Sequence, residues 1–138
     1  MENHLANILI VDDEEMERVL ARAILEGAGH DLLFAADGEA ALKLCRTENV
    51  ELVVTDLAMP DFNGLRFIKE LRKAGIRIPV IAISGWAPDQ LDLAEDYGAD
   101  VKLFKPTDGP ELVEAVEEML NLSDLPDRKD PWRKGRYR

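Results

Sequence analysis

The stretch "VVTDLAMPDFNG", Val53–Gly64, sets an apolar run directly against a carboxylate, Asp56, and then a Met59-Pro60 pair and a turn closed by Gly64. A Val-rich run without polar alternation reads as a strand covered on both faces, as in a parallel sheet. A carboxylate at the mouth of such a strand serves either a solvated turn or a place where something must be charged, exposed and held still.

Working outward, the same kind of run appears at "NILIVD" (7–12), "ELVVTD" (51–56), "PVIAIS" (79–84) and "VKLF" (101–104), with a weaker one at "HDLLFA" (30–35). Between them lie helical patterns. Met16, Val19, Leu20, Ala23 and Ile24 recur at helical spacing, and Gly27 and Gly29 can end that helix. Ala40, Ala41, Leu44 and Cys45 form a second stripe, Leu65, Ile68 and Leu71 a third, and Leu112, Val113, Val116, Met119 and Leu120 the last. The segment 88–97, "PDQLDLAEDY", is a weakly amphipathic helix and should be the least firmly held. Strand and helix alternate five times, which predicts one doubly wound α/β domain over residues 1–122.

A chain of 138 residues suits one core, and 46% hydrophobic residues supply it. No apolar run approaches the roughly 20 residues of a membrane span. "MENHLAN" lacks the basic and apolar regions of a signal peptide. The single Cys45 excludes an internal disulfide framework and reads as a small apolar filler. The expected compartment is the cytoplasm. Six basic and three acidic residues from Ser123 onward give a tail of charge +3, which leaves −14 on the first 122 residues. Such a body repels nucleic acid phosphates, so no direct DNA binding is expected, and it attracts cations or a basic partner. Residues 123–138 carry two prolines and no periodicity and read as a basic, flexible tail, dispensable for chemistry at the site and able to dock an acidic partner.

In open α/β sheets, sites form at the carboxyl ends of the strands. Here the first strand ends in Asp12-Asp13, the third in Asp56 and the fourth in Ser84, and the fifth runs into Lys105-Pro106. Neighbouring strands lie about 4.8 Å apart, so adjacent first and third strands would crowd three carboxylates. Like charges that close raise each other's pKa or demand a cation, and an oxygen-only cluster suits Mg²⁺, with Mn²⁺ as a substitute. Lys105 and Ser84 could address an anion on the far side. A cation site and an anion site sharing one carboxylate fit its phosphorylation. Taken singly, each residue has a plainer use: Asp12 or Asp13 as a helix cap, Asp56 as a loop residue, Met59-Pro60 as a turn. Their joint placement at strand ends favours the site.

"ILIVDDEE", "VVTDLAMPDFNG", "VIAISG" and "LFKP" resemble, in order, four signature blocks of the receiver domain of two-component response regulators. The resemblance covers roughly residues 6 to 122. It implies a flavodoxin-like, five-stranded parallel sheet in the order 2-1-3-4-5 with five flanking helices. It implies that Asp56 accepts a phosphoryl group from the phosphohistidine of a sensor histidine kinase or phosphotransfer protein. Asp13, Asp56 and the backbone carbonyl of Ala58 would bind Mg²⁺ directly, and Asp12 would act largely through water. Ser84 and Lys105 would contact the phosphoryl oxygens, and Lys105-Pro106 would resemble the family's cis peptide. Ala58 and Trp86 would flank the path of attacking water, and neither can orient a water, which implies slow self-dephosphorylation.

Departures from the family pattern are Lys102, where an aromatic switch side chain is common, and Thr107, where Phe is common. Strand alternation points Phe104 into the core. The resulting expectation is a stand-alone receiver, not an enzyme, that promotes its own phosphorylation and dephosphorylation and signals by phosphorylation-dependent contacts or relay. Two rivals stay open: a pseudo-receiver binding module not switched by phosphate, which Lys102 favours, and a Mg²⁺-dependent phosphohydrolase, which Ala58 disfavours because such enzymes carry an acid two residues after the nucleophile. "DDEE" in place of glycines argues against a dinucleotide site.

Overall fold

Five strands alternate with five helices in the computed structural model, which describes residues 5–58, 63–85, 88–105 and 109–123. The strands are β1 (Asn7–Val11), β2 (Asp31–Ala35), β3 (Leu52–Asp56), β4 (Val80–Ser84) and β5 (Val101–Phe104). The helices are α1 (Glu15–Gly27), α2 (Gly38–Thr47), α3 (Gly64–Lys73), α4 (Pro88–Tyr97) and α5 (Gly109–Ser123). All strands run parallel, in the order β2-β1-β3-β4-β5. The expected fold class and strand order are those observed. The basic tail lies outside the described residues.

The continuous apolar runs are explained by two cores on opposite faces of the sheet. Leu9, Val11, Val53, Val80 and Ala82 meet Phe67, Ile68 and Leu71 of α3 and Leu91 and Ala94 of α4. Their neighbours Ile8, Ile10, Leu52, Val54, Ile81 and Ile83 meet Leu25 of α1 and Leu112, Val116, Met119 and Leu120 of α5. Strand side chains alternate between faces, so both sets must be apolar. Cys45 sits in the first core, as expected, and burial pushes its thiol up to about 11, which leaves it unreactive at neutral pH. Asp37 and Asn63 start α2 and α3 by accepting the amides of Ala40 and Arg66 at 2.8 and 2.9 Å. Gly75, at φ 79°, closes α3 in a conformation that favours glycine.

Two expectations need correction. The first helix forms where its spacing places it, but Met16, Val19 and Leu20 are 75%, 50% and 53% exposed, and Ala23 is exposed too. The buried side of α1 follows Ala21, Ile24 and Leu25, a line one residue later. One residue is about 100° around a helix, so the buried line is a different face. Ala21, Ile24 and Leu25 pack into the core shared with α5, and Arg18 Nη1 donates to the Asp12 carbonyl oxygen at 2.7 Å, tying the helix to the end of β1. The second correction is Phe104, which is 55% exposed rather than in the core. Val101 and Leu103 take the core-facing positions of edge strand β5, and alternation puts Phe104 on the side of Lys102, beyond the α4 residues that cover that lysine.

Candidate phosphoacceptor site

Because β1 and β3 are hydrogen-bonded neighbours, with Val11 opposite Thr55, Asp12 and Asp56 emerge side by side. Both are 7% exposed, whereas Asp13 points to solvent. Asp12, Asp13 and Asp56 each bring a carboxylate oxygen within 4.8 Å of the others, a hard-oxygen cluster able to hold a divalent cation. Asp12 Oδ1 also accepts the Glu14 amide at 3.0 Å in a local turn ahead of α1, whose N-cap is Glu14, so neither Asp12 nor Asp13 caps the helix.

Lys105 closes the other side. Its amide donates to the Ser84 carbonyl oxygen at 2.9 Å, which ties the end of β5 to the end of β4. Its ammonium lies 3.3 Å from Asp56 Oδ2, 3.8 Å from Asp12 Oδ2 and 3.8 Å from Glu17 Oε1. Burial alone would lower the Lys105 pKa, but Asp56, Asp12 and Glu17 together outweigh it and raise it, so the lysine is charged at neutral pH. The Asp12 carboxyl is pushed up to about 6, first by burial and then by the neighbouring Asp56 and Glu17, against the Glu14 amide and Lys105. Asp56 Oδ1 accepts the Ala58 amide at 3.2 Å, which leaves the carboxylate fixed at both oxygens. Ser84 is fully buried, and its Oγ has no hydrogen-bond partner among the described residues. A buried hydroxyl left unpaired costs stability unless something else occupies it, and the ligand of this site is the natural candidate.

Gly64 brings the start of α3 against the site. A Cβ there would overlap the Asp56 carbonyl oxygen and lie 2.8 Å from Leu57 Cα. Lys102 stands apart from the cluster, paired with Asp92 and Glu95 of α4. Trp86 and Pro106 lie outside the described residues, as do Met59, Pro60 and Thr107. Glu17 went unmarked in the sequence reading. Its only signal was its place four residues after Asp13, in the first turn of α1.

The arrangement therefore brings together a buried carboxylate, an acidic cluster able to hold a cation on one side, and on the other an ammonium and a hydroxyl with no hydrogen-bond partner among the described residues. Comparison with known proteins identifies the family. The model of the response regulator receiver domain matches residues 8–117. The chain is 34% identical over 120 residues to the alkaline phosphatase synthesis transcriptional regulatory protein PhoP of Bacillus subtilis, an alignment covering 86% of this chain and 50% of that protein. It is 32% identical over 117 residues to the sensory/regulatory protein RpfC of Xanthomonas campestris, covering 81% of this chain and 16% of that one. The chain thus spans about half the length of PhoP and of the similar regulator SphR. A receiver domain from Clostridium thermocellum superposes with a TM-score of 0.80 at 29% identity, covering 86% of this chain and 97% of that one. A CheY-like receiver from Methanospirillum hungatei does so with a TM-score of 0.80 at 28% identity, covering 86% and 96%. With the family model spanning most of its length, this chain belongs to the response regulator receiver domain family.

Proposed function

We propose that Asp56 is the phosphoacceptor of a signalling receiver, charged by the phosphohistidine of a sensor histidine kinase or phosphotransfer protein. The observation that carries this reading is the pairing of buried Asp56 with Lys105 at 3.3 Å beside the Ser84 hydroxyl, which has no hydrogen-bond partner among the described residues. A carboxylate oxygen of Asp56 attacks phosphorus. The phosphorus–nitrogen bond breaks, the imidazole keeps the electron pair, and an acyl phosphate forms. Lys105 and Ser84 donate to the phosphoryl oxygens, so charge that develops there meets donors already in place. Asp12, Asp13 and Asp56, with the Ala58 carbonyl, are the residues that would hold Mg²⁺ or Mn²⁺. That ion would supply charge neutralisation at the same oxygens. The chain turns over no external substrate in this reading. Its output is a phosphorylation-dependent protein contact or a relay step, in the cytoplasm.

Mass spectrometry after incubation with Mg²⁺ and acetyl phosphate tests it. One added phosphoryl group, lost in Asp56→Asn, is the expected result. An unmodified wild-type chain would instead favour a binding module that phosphate does not switch, the reading that Lys102 supports.

A further inference from the structure

We infer that Glu17 is a positioning residue for Lys105, holding its ammonium toward α1 until a phosphoryl group draws it away. This deepens the phosphoacceptor reading and rests on it. Three carboxylates share the ammonium: Asp56 at 3.3 Å, and Asp12 and Glu17 at 3.8 Å each. Two of them come from the sheet and belong to the reactive centre. Glu17 alone comes from a helix, beside the Arg18 side chain that ties the same turn to the Asp12 carbonyl oxygen.

The meeting point is partly shielded. A cavity of about 40 Å³, room for a water or two, lies between α1 and α5, with Leu20, Ile24 and Leu112 among its walls and Asp12, Glu17, Asp56 and Lys105 around it. Reduced solvent strengthens the attraction between the ammonium and Glu17 beyond that of a fully exposed pair. The ammonium donates a hydrogen bond to Asp56, while Asp12 and Glu17 hold it by charge at 3.8 Å. A phosphoryl group on Asp56 adds charge and acceptor oxygens, so it has to take Lys105 from a present partner. Asp12 and Asp56 remain bound to the site chemistry. Glu17 is the partner that can be released. In the unmodified protein it therefore opposes the arriving anion twice, by like charge and by holding the lysine. Its release on phosphorylation frees the first turn of α1, next to the exposed Met16, Val19 and Leu20.

The test has two arms on the full chain. In the metal-free, unliganded protein, the Lys105 Cε–Hε NMR resonance should move in Glu17→Gln and stay in place in Glu15→Gln, which removes the same charge from the exposed side of the same turn. With saturating Mg²⁺, Glu17→Gln should bind beryllofluoride, a phosphoryl mimic, about threefold more tightly than wild type, the scale of one partly exposed ion pair. Glu15→Gln should not. A Lys105 resonance indifferent to Glu17→Gln overturns the inference, as does an equal gain from both variants, which would mean a diffuse field effect. A wild-type chain that binds no beryllofluoride overturns the phosphoacceptor reading instead, and the resonance arm then decides on the Glu17–Lys105 contact alone.

Discussion

Lys102 Nζ of β5 lies 2.9 Å from Asp92 Oδ1 of α4, and Glu95 Oε1 of the same helix lies 3.3 Å from that nitrogen. The hydrogen bond that Lys102 donates to Asp92 leads in raising the Lys102 pKa, helped by Glu95 and opposed by burial. A lysine raised in this way contributes stability that is complete below its ordinary value near 10.5 and is lost only as alkaline pH passes the folded value, so the clasp is constant across neutral pH. It joins an edge strand to the least amphipathic of the five helices.

Lys102→Met keeps the apolar stem and removes the charge. The expected loss is at most about 1 kcal/mol, concentrated in α4. Hydrogen exchange should quicken in α4 and leave α5 as it was, and high salt should reproduce part of the effect in wild type. Equal quickening in both helices would show that the clasp does not secure α4.

Asp12 gives a pH dependence of opposite kind. With its carboxyl near 6 in the fold against 3.8 ordinarily, the native state binds this proton more tightly than the unfolded chain. This group's share of stability is therefore greatest below about pH 4 and falls as pH rises to 6, by up to about 3 kcal/mol. Asp12→Asn should be more stable than metal-free wild type at pH 7 and equal to it near pH 4. Denaturant unfolding at both pH values measures the difference, and a gap that does not change with pH would refute the assignment. Stabilisation by Mg²⁺ should also weaken below pH 6, where the proton competes for the carboxylate.

Arg72 and Asp100 fasten the opposite end of the sheet. Arg72 donates to the carbonyl oxygens of Gly98 and Ile76 at 2.9 and 2.8 Å and meets Asp100 Oδ2 at 3.3 Å, and that oxygen accepts the Val80 amide at 2.9 Å. The two side chains are 7% and 4% exposed. Arg72→Ala would remove a buried guanidinium from beside Asp100 and from two backbone carbonyls, at a cost of about 3–5 kcal/mol in urea unfolding. Arg72→Lys should recover only part of this, because an ammonium cannot span several carbonyls as the guanidinium fork does. Full recovery would mean that charge alone is needed there.

Gly64→Ala tests how tightly α3 abuts the phosphoacceptor. The new methyl would meet backbone, the Asp56 carbonyl oxygen and Leu57 Cα, which cannot swing aside as a side chain could. A loss of about 1–3 kcal/mol is expected, together with slower phosphorylation by acetyl phosphate, since Asp56 itself must shift. Unchanged stability and rate would show that the loop yields freely.

The fold was legible because both faces of a parallel sheet are covered, which leaves strands as unbroken apolar runs and forces polar chemistry to their ends. Asp12, Asp13, Asp56, Ser84 and Lys105 could be assembled from that rule alone. The phase of α1 could not. The stripe Met16, Val19, Leu20, Ala23 and Ile24 is more apolar than the line Ala21, Ile24 and Leu25 that the core takes, so hydropathy alone points one residue off. Glu17 was hidden for the same reason: among "DDEEMER" it reads as one more acid favouring a helix start. Phe104 was misplaced because alternation gives the two sides of a strand without saying where the covering helix stops. Arg72 and Asp100 are 28 residues apart in the chain and follow no local pattern.

The parallel sheet also separates two tasks in space. One edge gathers Asp12, Asp13 and Asp56, where crowded charge works against the fold. The other holds Arg72 with Asp100, and His30, whose ring accepts the Ala6 amide and meets Glu117 at 3.1 Å. A five-residue strand places these edges about 16 Å apart. Substitutions that far apart, sharing no partner, combine almost additively. The molecule can therefore be adjusted like a tool with a separate blade and handle: reactivity can be retuned at one edge while an independent gain at the other makes up the loss, without either change reading through to its counterpart.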